Sequence, residues 1–322
     1  MINSHPINSN LRRKTTGTAQ LGLNRKSVEE QEIFFPPLPE QRKIAEILET
    51  IDNAIEKTDR IIEKYKRIKQ GLMQDLLTRG IAESDELGVM SYELRDEKKH
   101  RFKDSPLGRI PEEWGIARLG EVAELKGRIG WRGYTFEDLR DEGPITLGAT
   151  NISDENKLDL SNLTYITYRK FKESPEIQVS FSDILLVQRG SIGKVAIIDR
   201  NIGDATINPS IILIKKIKIH PHFLYYALAG YLTQSQIEEI LSQTGVPMIS
   251  QSQAKQLILP IPKSKEEQHR IASILFQIDE AIEKEQEYKE KLERIKKGLM
   301  EDLLTGKVRV NHLIEEGERN EN

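Results

Sequence analysis

Residues 40–78, EQRKIAEILETIDNAIEKTDRIIEKYKRIKQGLMQDLLT, return as residues 267–305, EQHRIASILFQIDEAIEKEQEYKEKLERIKKGLMEDLLT. The two copies align at a constant offset of 227 positions without a gap, and 24 of the 39 aligned positions are identical. The units of stacked solenoids recur about every 20 to 50 residues, so an offset this long leaves room for a complete domain between the copies. The sequence therefore predicts one domain flanked by two related segments.

Each copy has the apolar spacing of a long amphipathic helix, with hydrophobic residues at steps of four and three. Prolines precede both copies, and Gly80 and Gly306 stand where a C-terminal cap glycine is expected. At about 1.5 Å per residue each helix would be roughly 55 to 60 Å long, and the two apolar stripes could bury each other. The residues predicted to pair the helices are Ile44, Leu48, Ile51, Ile55, Ile62, Leu72, Ile271, Leu275, Ile278, Ile282, Leu292 and Leu299.

The role of these helices stays open at this point. Periodicity alone is equally satisfied by two helices that only brace the domain between them. Several matched residues, however, look exposed, and a helix seam does not need them to match. These are Glu40, Gln41, Asp52, Glu56, Lys57 and Asp75 with their counterparts. The matches predict that something outside the seam contacts both helices alike.

Gly71 and Gly298 occupy the same position in the two copies. Glycine costs up to about 1 kcal/mol relative to alanine inside a helix. Its presence in both copies predicts a close approach of the helices, or a bend, at this position.

Composition excludes several classes of protein. The chain has 322 residues, 37% of them hydrophobic, and a formal net charge of −3. With no cysteine it has no disulfide, zinc–thiolate site or thiol nucleophile. It has no apolar run long enough for a membrane span and no signal-peptide pattern, so a cytoplasmic location is expected. A domain held to DNA by charge alone is typically strongly basic, so any DNA binding here must depend on local clusters.

The strongest local cluster is KGRIGWRGY, residues 126–134. Its glycines predict a loop that can approach a DNA groove, arginine can make bidentate contacts to guanine, and lysine can contact phosphate. The alternative is a surface loop whose tryptophan packs inward and whose charges are only solvated. The candidate DNA-binding residues are Lys126, Arg128, Trp131, Arg132 and Tyr134.

A second candidate is the turn QRGSIGK, residues 188–194, between two strand-like apolar runs. Glutamine and arginine at a strand exit can read bases, and serine and lysine can hold phosphates. A purely structural hairpin turn fixed by its glycines is equally compatible. The candidate residues are Gln188, Arg189, Ser191 and Lys194, and a third segment adds Asn151 near Asn208.

Motifs for catalysis are incomplete. Gly193-Lys194 lacks the first glycine and the hydroxyl residue of a phosphate-binding loop, and Asn208-Pro209-Ser210 departs from the motif of amino-methyltransferases. His220 and His222 have no acidic ligand beside them. We therefore expect no catalytic activity in this chain itself, and no metal or cofactor bound by it.

PLPEQRKIAEIL and GLMQDLLT resemble the conserved spacer region of the DNA-specificity subunits of type I restriction-modification enzymes. DSPLGRIPEEWGIARLGEVAEL (residues 104–125), SDILLVQRGSIGKVAII (182–198) and TGVPMIS (244–250) resemble the opening, centre and close of that family's target recognition domain. The resemblance implies an α+β protein: one globular α/β target recognition domain flanked by two long conserved α-helices able to form an antiparallel coiled coil.

The resemblance also implies the following division of the chain. Complete family members have two recognition domains and two spacers, whereas this chain has one full recognition domain. The predicted segments are a remnant of a first recognition domain (1–39), spacer helix 1 (40–82), a linker (83–102), the recognition domain (103–262), spacer helix 2 (263–310) and an acidic disordered tail (311–322).

The function implied by the resemblance is choice of a DNA site. The recognition domain would read a half-site of double-stranded DNA, and the helices would hold modification (methyltransferase) subunits and a restriction (translocase and endonuclease) subunit. S-adenosylmethionine, ATP and Mg²⁺ would belong to those partners. A second specificity chain, or another fragment, would supply the missing reader. The alternative is a truncated adaptor that assembles partners without selecting DNA.

Overall fold

A computed structural model describes residues 25–29, 35–86, 89–128, 133–244 and 247–314. The predicted mixed fold of helices and sheets is confirmed within these residues. Most of the predicted remnant at residues 1–39, and the tail from residue 315 onward, lie outside them. None of the described helices is both long and apolar enough to cross a membrane.

The chain contains two very long helices and a set of short strands between them. The helices are α1 (Arg25–Glu29), α2 (Leu38–Thr78), α3 (Leu119–Val122), α4 (Tyr168–Lys172), α5 (Pro221–Ala229), α6 (Tyr231–Thr244), α7 (Gln251–Gln256) and α8 (Lys265–Leu304). The strands are β1 (Ile81–Glu86), β2 (Val89–Leu94), β3 (Phe102–Ser105), β4 (Gly108–Pro111), β5 (Gly115–Arg118), β6 (Glu124–Gly127), β7 (Leu139–Leu147), β8 (Thr164–Ile166), β9 (Ile184–Val187), β10 (Val195–Ile197), β11 (Ala205–Ile207), β12 (Ile211–Lys215) and β13 (Ile258–Ile261).

The two long helices coincide with the two copies of the repeat and end as the sequence predicts. α2 has 41 residues and α8 has 40. Gly80 and Gly306 follow the helices with φ of +63° and +75°, a conformation that residues with a Cβ rarely adopt. At the start of α8 the backbone N–H of Glu267 donates to the Ser264 hydroxyl at 3.1 Å. This bond satisfies one of the helix's free amide groups.

Two sheets form the centre of the domain between the helices. A four-stranded antiparallel sheet has the order β10-β9-β12-β6, and a three-stranded sheet has the order β11-β7-β8, in which β11 and β7 run parallel. The central strand β9 is apolar throughout, and β12 is apolar up to its last residue, Lys215. Ile184 and Leu186 pack into one hydrophobic cluster, and Leu185 and Val187 into another. Since successive side chains of a strand point to opposite faces, β9 is buried on both sides.

The larger of these two clusters includes parts of both long helices. Leu76 and Leu77 from the end of α2, and Ile271 and Leu275 from the start of α8, are buried in it together with Trp114. The pairing residue Leu72 also packs against this cluster. Within residues 69–277 the helix ends are therefore part of the hydrophobic core of the domain.

Contacts divide the chain into two compact units, residues 69–277 and residues 1–68 with 278–322. In the second unit the long helices face each other in opposite directions. Asp52 Oδ1 lies 2.5 Å from Lys296 Nζ, and Asp59 Oδ1 lies 2.7 Å from Lys289 Nζ. Since the partner number falls as the α2 number rises, the facing segments are antiparallel.

A small hydrophobic cluster joins the outer ends of these facing segments. Ile44 is buried in it with Leu303, Leu304 and Val310, and Leu48 and Leu299 pack against it. The remaining predicted pairing residues lie along the helices, with Ile62, Ile282 and Leu292 buried and Ile51, Ile55 and Ile278 partly buried.

The matched glutamates at the helix starts are buried, contrary to the prediction that they are exposed. Glu267 accepts hydrogen bonds from the Ile81 amide at 3.1 Å and from the Trp114 indole at 3.2 Å, and it pairs with Arg95. Glu40 is 2% exposed and accepts from Arg309 Nη2 at 2.6 Å and Nε at 2.8 Å. The glutamates match because each holds an arginine that follows a long helix.

The close helix approach predicted at Gly71 and Gly298 is wrong. A Cβ built on either residue would meet no atom within 4 Å. Internal packing therefore does not explain these two glycines.

The segment predicted to be a linker, residues 83–102, contains an ordered ribbon. β1 and β2 pair in antiparallel register from Ile81 opposite Leu94 to Glu86 opposite Val89. The ribbon leads into Arg95, whose guanidinium donates to the Arg79 carbonyl at 3.4 Å in addition to its ion pairs.

Candidate nucleic-acid interface

The segments that the sequence selects as DNA-binding candidates meet at one end of the two sheets. In the four-stranded sheet Gly127 lies opposite Ile212 and Val187 lies opposite Ile211, so the ends of β6 and β9 and the start of β12 share one edge. The Gln188 amide donates to the Ser210 carbonyl at 2.8 Å, and the Asn208 amide donates to the Leu147 carbonyl at 2.8 Å. We call this edge, with segments 126–128, 133–134, 148–151, 188–194 and 208–210, the loop cluster.

Arg128 is buried in the loop cluster. It is 6% exposed, and its Nε donates to the Ile207 carbonyl at 2.8 Å. Its Nη2 donates to the Thr206 hydroxyl at 3.2 Å. Burial draws the pKa of the guanidinium below its ordinary value, although an arginine stays charged in proteins. Through these hydrogen bonds Arg128 anchors the loop to β11, and its contact with DNA stays a prediction.

Two further residues of segment 126–134, Tyr134 and Lys126, are described by the structure. The Tyr134 ring lies 5.8 Å from the Arg128 guanidinium carbon. Lys126 is partly exposed and lies 3.4 Å from Glu124. Trp131 and Arg132 lie outside the described residues. That they contact DNA stays a prediction.

Gln188 and Asn151 also support the loops. Gln188 is 8% exposed and its Nε2 donates to the Pro209 carbonyl at 2.7 Å. Asn151 is 5% exposed, its amide oxygen accepts from the Gly148 amide at 3.0 Å, and its Nδ2 donates to the carbonyls of Asp159 and Asn162. The amide nitrogen of Gln188 and both polar side-chain atoms of Asn151 are thus hydrogen-bonded inside the protein. That these two residues read bases stays a prediction.

The turn between β9 and β10 has the glycine geometry that the sequence suggests. Gly190 and Gly193 have φ of +87° and +90°. The Gly193 amide donates back to the Val187 carbonyl at 3.0 Å, which closes the turn. This backbone hydrogen bond holds the turn that carries Arg189 at the end of β9.

Arg189 is the exposed arginine of this turn. Its backbone forms a bridge to Met248, while its side chain forms no hydrogen bond or ion pair with any described residue. Ser191 is partly exposed, and Lys194 forms an ion pair with Asp154, whose pKa this contact lowers. Among the residues selected from sequence, Arg189 combines exposure with a guanidinium that no described residue holds.

Two neighbours of the loop cluster were missed by sequence reasoning. A Cβ on Gly127 would lie 2.5 Å from Gln251 Nε2, so the first residue of α7 packs against the end of β6. Phe136 is 89% exposed two residues after Tyr134. The sequence signal for Phe136 is an aromatic residue within the polar run Thr135–Asp138, whereas nothing in the sequence places Gln251.

The described residues of this unit hold no group of three or more His, Asp or Glu side chains able to bind a metal. The closest histidines are His220 and His269, with Nε2 and Nδ1 3.2 Å apart. They belong to the starts of α5 and α8 rather than to the loop cluster. The loop cluster offers cations and hydrogen-bond donors, which suit contacts to phosphates and base edges.

The chain is similar in sequence to known proteins. A sequence model described as the type I restriction modification DNA specificity domain matches residues 5–66 and 111–294. The MjaVIII specificity subunit of Methanocaldococcus jannaschii is 29% identical over 309 residues, which are 94% of this chain and 68% of that protein. The putative MjaX specificity subunit of the same organism is 30% identical over 300 residues, 90% of this chain and 62% of that protein.

Solved structures show the same fold. The S subunit of a type I restriction-modification system from M. genitalium aligns with a TM-score of 0.55 and 20% identity, over 91% of this chain and 68% of that one. A chain from a study of complex assembly and conformational transition in the type I R-M system aligns with a TM-score of 0.56 and 19% identity, over 95% of this chain and 69% of that one.

Proposed function

The chain belongs to the type I restriction modification DNA specificity family, and from this premise we propose that its loop cluster selects a DNA half-site for partner subunits that carry out the chemistry. The observation that carries this proposal is the convergence of the candidate segments at one end of the two sheets, with Arg189 exposed on a hydrogen-bonded turn. A half-site is proposed because the described residues hold one loop cluster of this kind.

Arg189 is the proposed base reader. A guanidinium held at a fixed angle can donate two hydrogen bonds to O6 and N7 of a guanine in the major groove. Lys126 and Lys194 are the proposed phosphate contacts, and Ser191 is a further donor. Lys194 would exchange its ion pair with Asp154 for a phosphate, which favours DNA when the spacing fits the backbone.

The buried polar residues of the loop cluster have a supporting role in this proposal. Arg128, Gln188 and Asn151 fix loops whose backbone would otherwise lose hydrogen bonds. Precise readout depends on such support, since a reading side chain placed about 1 Å off loses its contact. Trp131 and Arg132 continue the segment that Arg128 anchors, and we keep them as proposed DNA contacts.

The partners follow from the family. We propose that modification subunits and a restriction subunit assemble on this chain, and that S-adenosylmethionine, ATP and Mg²⁺ act within those subunits. The family description, a DNA specificity domain of restriction-modification systems, supports this division of labour. This chain would itself select the DNA sequence and set the distance between the parts of the assembly.

The experiment is to co-express the chain with its modification subunit in a host without adenine methylation and to map N6-methyladenine across the genome. Methylation at a defined motif is expected. A symmetric bipartite motif would mean that two copies of this chain each read one half, and an asymmetric motif would mean that another reader supplies the second half.

A stable complex without methylation would contradict selective DNA reading. That outcome would favour the alternative, a truncated adaptor that gathers partner subunits without choosing DNA. The exposure of Arg189 favours DNA selection, since an adaptor does not need an exposed guanidinium that no described residue holds.

A further inference from the structure

Phe136 is the most exposed large hydrophobic residue in the part of the chain that the structure describes. It is 89% exposed, compared with 76% for Tyr231 and 73% for Phe35. An aromatic ring stabilises a fold by leaving water, and a ring that stays in water gives up this gain. Phe136 therefore adds nothing to the packing of the domain.

The turn that carries Phe136 is held by a buried carboxylate. Asp138 is 5% exposed, and its Oδ2 accepts a hydrogen bond from the Thr135 amide at 3.1 Å. Its Oδ1 accepts from Arg169 Nη2 at 3.2 Å, and its carbonyl accepts from the Thr167 amide at 2.9 Å. The bond from Thr135 lowers the pKa of Asp138 below its ordinary value, so the carboxylate stays charged near neutral pH. Hydrogen bonds on both sides of Phe136 thus hold the backbone beneath the exposed ring.

The charges around this turn balance each other. Asp138 forms an ion pair with Arg169, while Glu137 and Arg140 add one exposed charge of each sign. Arg140 also donates to the Glu137 carbonyl at 2.9 Å. Because the turn has no excess of positive charge, it attracts phosphates only weakly. The feature that it presents to a binding partner is the apolar ring of Phe136.

Phe136 lies beside the loop cluster and follows one of its segments directly. The ring of Tyr134 lies 5.8 Å from the guanidinium carbon of Arg128, which donates to the Ile207 carbonyl. Two residues of extended chain span at most about 7 Å, so Phe136 lies close to Tyr134. A duplex that the loop cluster binds would therefore pass close to the exposed ring.

A step between two base pairs is the partner that this single ring fits best. A protein interface buries many side chains around an apolar centre, whereas Thr135 and Glu137, on either side of Phe136, are polar and exposed. Some DNA-binding proteins insert one apolar side chain, often phenylalanine, between base pairs, which partly unstacks them and kinks the duplex. An aromatic ring can also stack on a base, because every base has a flat apolar face.

We propose that Phe136 inserts between two base pairs beside the bases that Arg189 reads, and unstacks them when the chain binds DNA. Pyrimidine–purine steps such as TA and CA unstack and kink most easily. Phe136 would therefore add a preference for such a step without a hydrogen bond to any base. The inference rests on the proposed function, which supplies the DNA, and adds to it a residue that selects sequence through the deformability of the duplex.

The test uses the full chain co-expressed with the modification subunit, and duplexes that carry the methylated motif. 2-Aminopurine, whose fluorescence rises when it loses its stacking neighbours, replaces successive purines in and beside each half-site. Phe136→Ala removes the ring, and Phe136→Leu keeps an apolar side chain of the kind that can insert. The matched control is Phe181→Ala, because Phe181 is 67% exposed and precedes Ile184, at the end of β9 opposite to the loop cluster. Both phenylalanines are exposed, so their replacement leaves the core unchanged.

A rise in fluorescence at one step is expected for the wild-type chain, for Phe136→Leu and for the Phe181→Ala control, but not for Phe136→Ala. The Phe136→Ala chain should also bind the motif about tenfold more weakly, because the stacking of the ring on a base is lost. Replacing a TA or CA at that step by GC should weaken binding by the wild-type chain and leave binding by Phe136→Ala unchanged.

Two results would overturn the inference while the proposed function stands. In the first, the wild-type complex prefers the motif but raises the fluorescence at no position. In the second, Phe136→Ala raises it as much as the wild type does. Equal binding of the wild-type complex to the motif and to a scrambled duplex would contradict the proposed function itself, and the inference with it.

Discussion

At the scale of single residues, the polar side chains of the loop cluster fall into two groups. Arg128, Gln188 and Asn151 are buried and donate to the backbone carbonyls of Ile207, Pro209 and Asp159 respectively. Arg189 points outward from the same edge. The first group sets the geometry from which the second acts, so replacing either would reduce DNA binding for different reasons.

The prediction at this scale concerns Arg189. Arg189→Ala should lower the affinity for the cognate sequence by about 1 to 3 kcal/mol and relax the preference at one base pair, because a bidentate contact to guanine is lost. Arg200→Ala is the matched control. Arg200 is also exposed and also makes no contact with a described side chain, but it follows the far end of β10.

The measurement is binding to cognate and scrambled duplexes by fluorescence anisotropy at one fixed salt concentration. If the Arg189→Ala chain still prefers the cognate duplex as strongly as the Arg200→Ala chain, another residue reads the base. An equal loss of affinity for both duplexes would mean that Arg189 contacts a phosphate rather than a base.

The sequence could name the loop cluster but could not assign its members. Arg128 and Arg189 look alike in sequence, since each stands next to a glycine after a run that pairs in the sheet. What separates them is the neighbour across the sheet. Ile207 presents a carbonyl to Arg128, while the side chain of Arg189 meets none, and such long-range contacts leave no mark in a local pattern.

At the scale of elements, the repeat explains the helix starts. Helix length, the apolar stripes and the terminal glycines could be predicted because they depend on local spacing and backbone conformation. The burial of Glu40 and Glu267 could not, because it depends on Arg309 and Arg95, which lie outside the aligned copies. The repeat contains the glutamate of each ion pair, and the arginine comes from a segment that follows a long helix.

Glu40 gives a prediction with a definite pH dependence. The hydrogen bond from Arg309 lowers the pKa of Glu40 below its ordinary value of 4.5. A carboxyl with a lowered pKa in the folded state adds stability that is present above its ordinary pKa and is lost as the pH falls through the lower, folded value. Glu40→Gln should therefore cost about 1 to 2 kcal/mol near neutral pH, the low end for a charged hydrogen bond since Arg309 is 49% exposed.

Urea denaturation of both chains between neutral pH and about pH 3 measures this effect. The gap between wild type and Glu40→Gln should stay constant above the ordinary pKa and close in acid. Glu49→Gln, at an exposed position of the same helix, is the control substitution. A gap that persists unchanged in acid would mean that the loss comes from packing rather than from the charge.

At the scale of the whole molecule, the two long helices are shared between the compact units. Each helix contributes one part to the core around Trp114 and another part to the antiparallel segments. We predict that the length of the antiparallel helical segments sets the distance between the two half-sites that an assembly reads. Helix length would then set the number of base pairs between the half-sites, just as dimer geometry sets the half-site separation of other DNA-binding proteins.

Lengthening both helices tests that conversion. Because Asp59 faces Lys289, a copy of residues 52–58 inserted after Thr58 and a copy of residues 283–289 inserted after Lys289 would lie opposite each other. Seven helical residues add about 10 Å, which corresponds to roughly 3 base pairs of B-DNA at about 3.4 Å each. The gap between the halves of the methylated motif should grow by about that amount.

Inserting the seven residues into one helix alone is the control, because it shifts Asp52–Lys296 out of register with Asp59–Lys289. That chain should be less stable and should not direct methylation to a spaced motif. Methylation of the original motif by the doubly lengthened chain would contradict a helical ruler, since the reading edge would then reach its half-site independently of helix length. If all methylation is lost while the modification subunit still binds, the changed distance is the cause, because the register of the facing segments is kept.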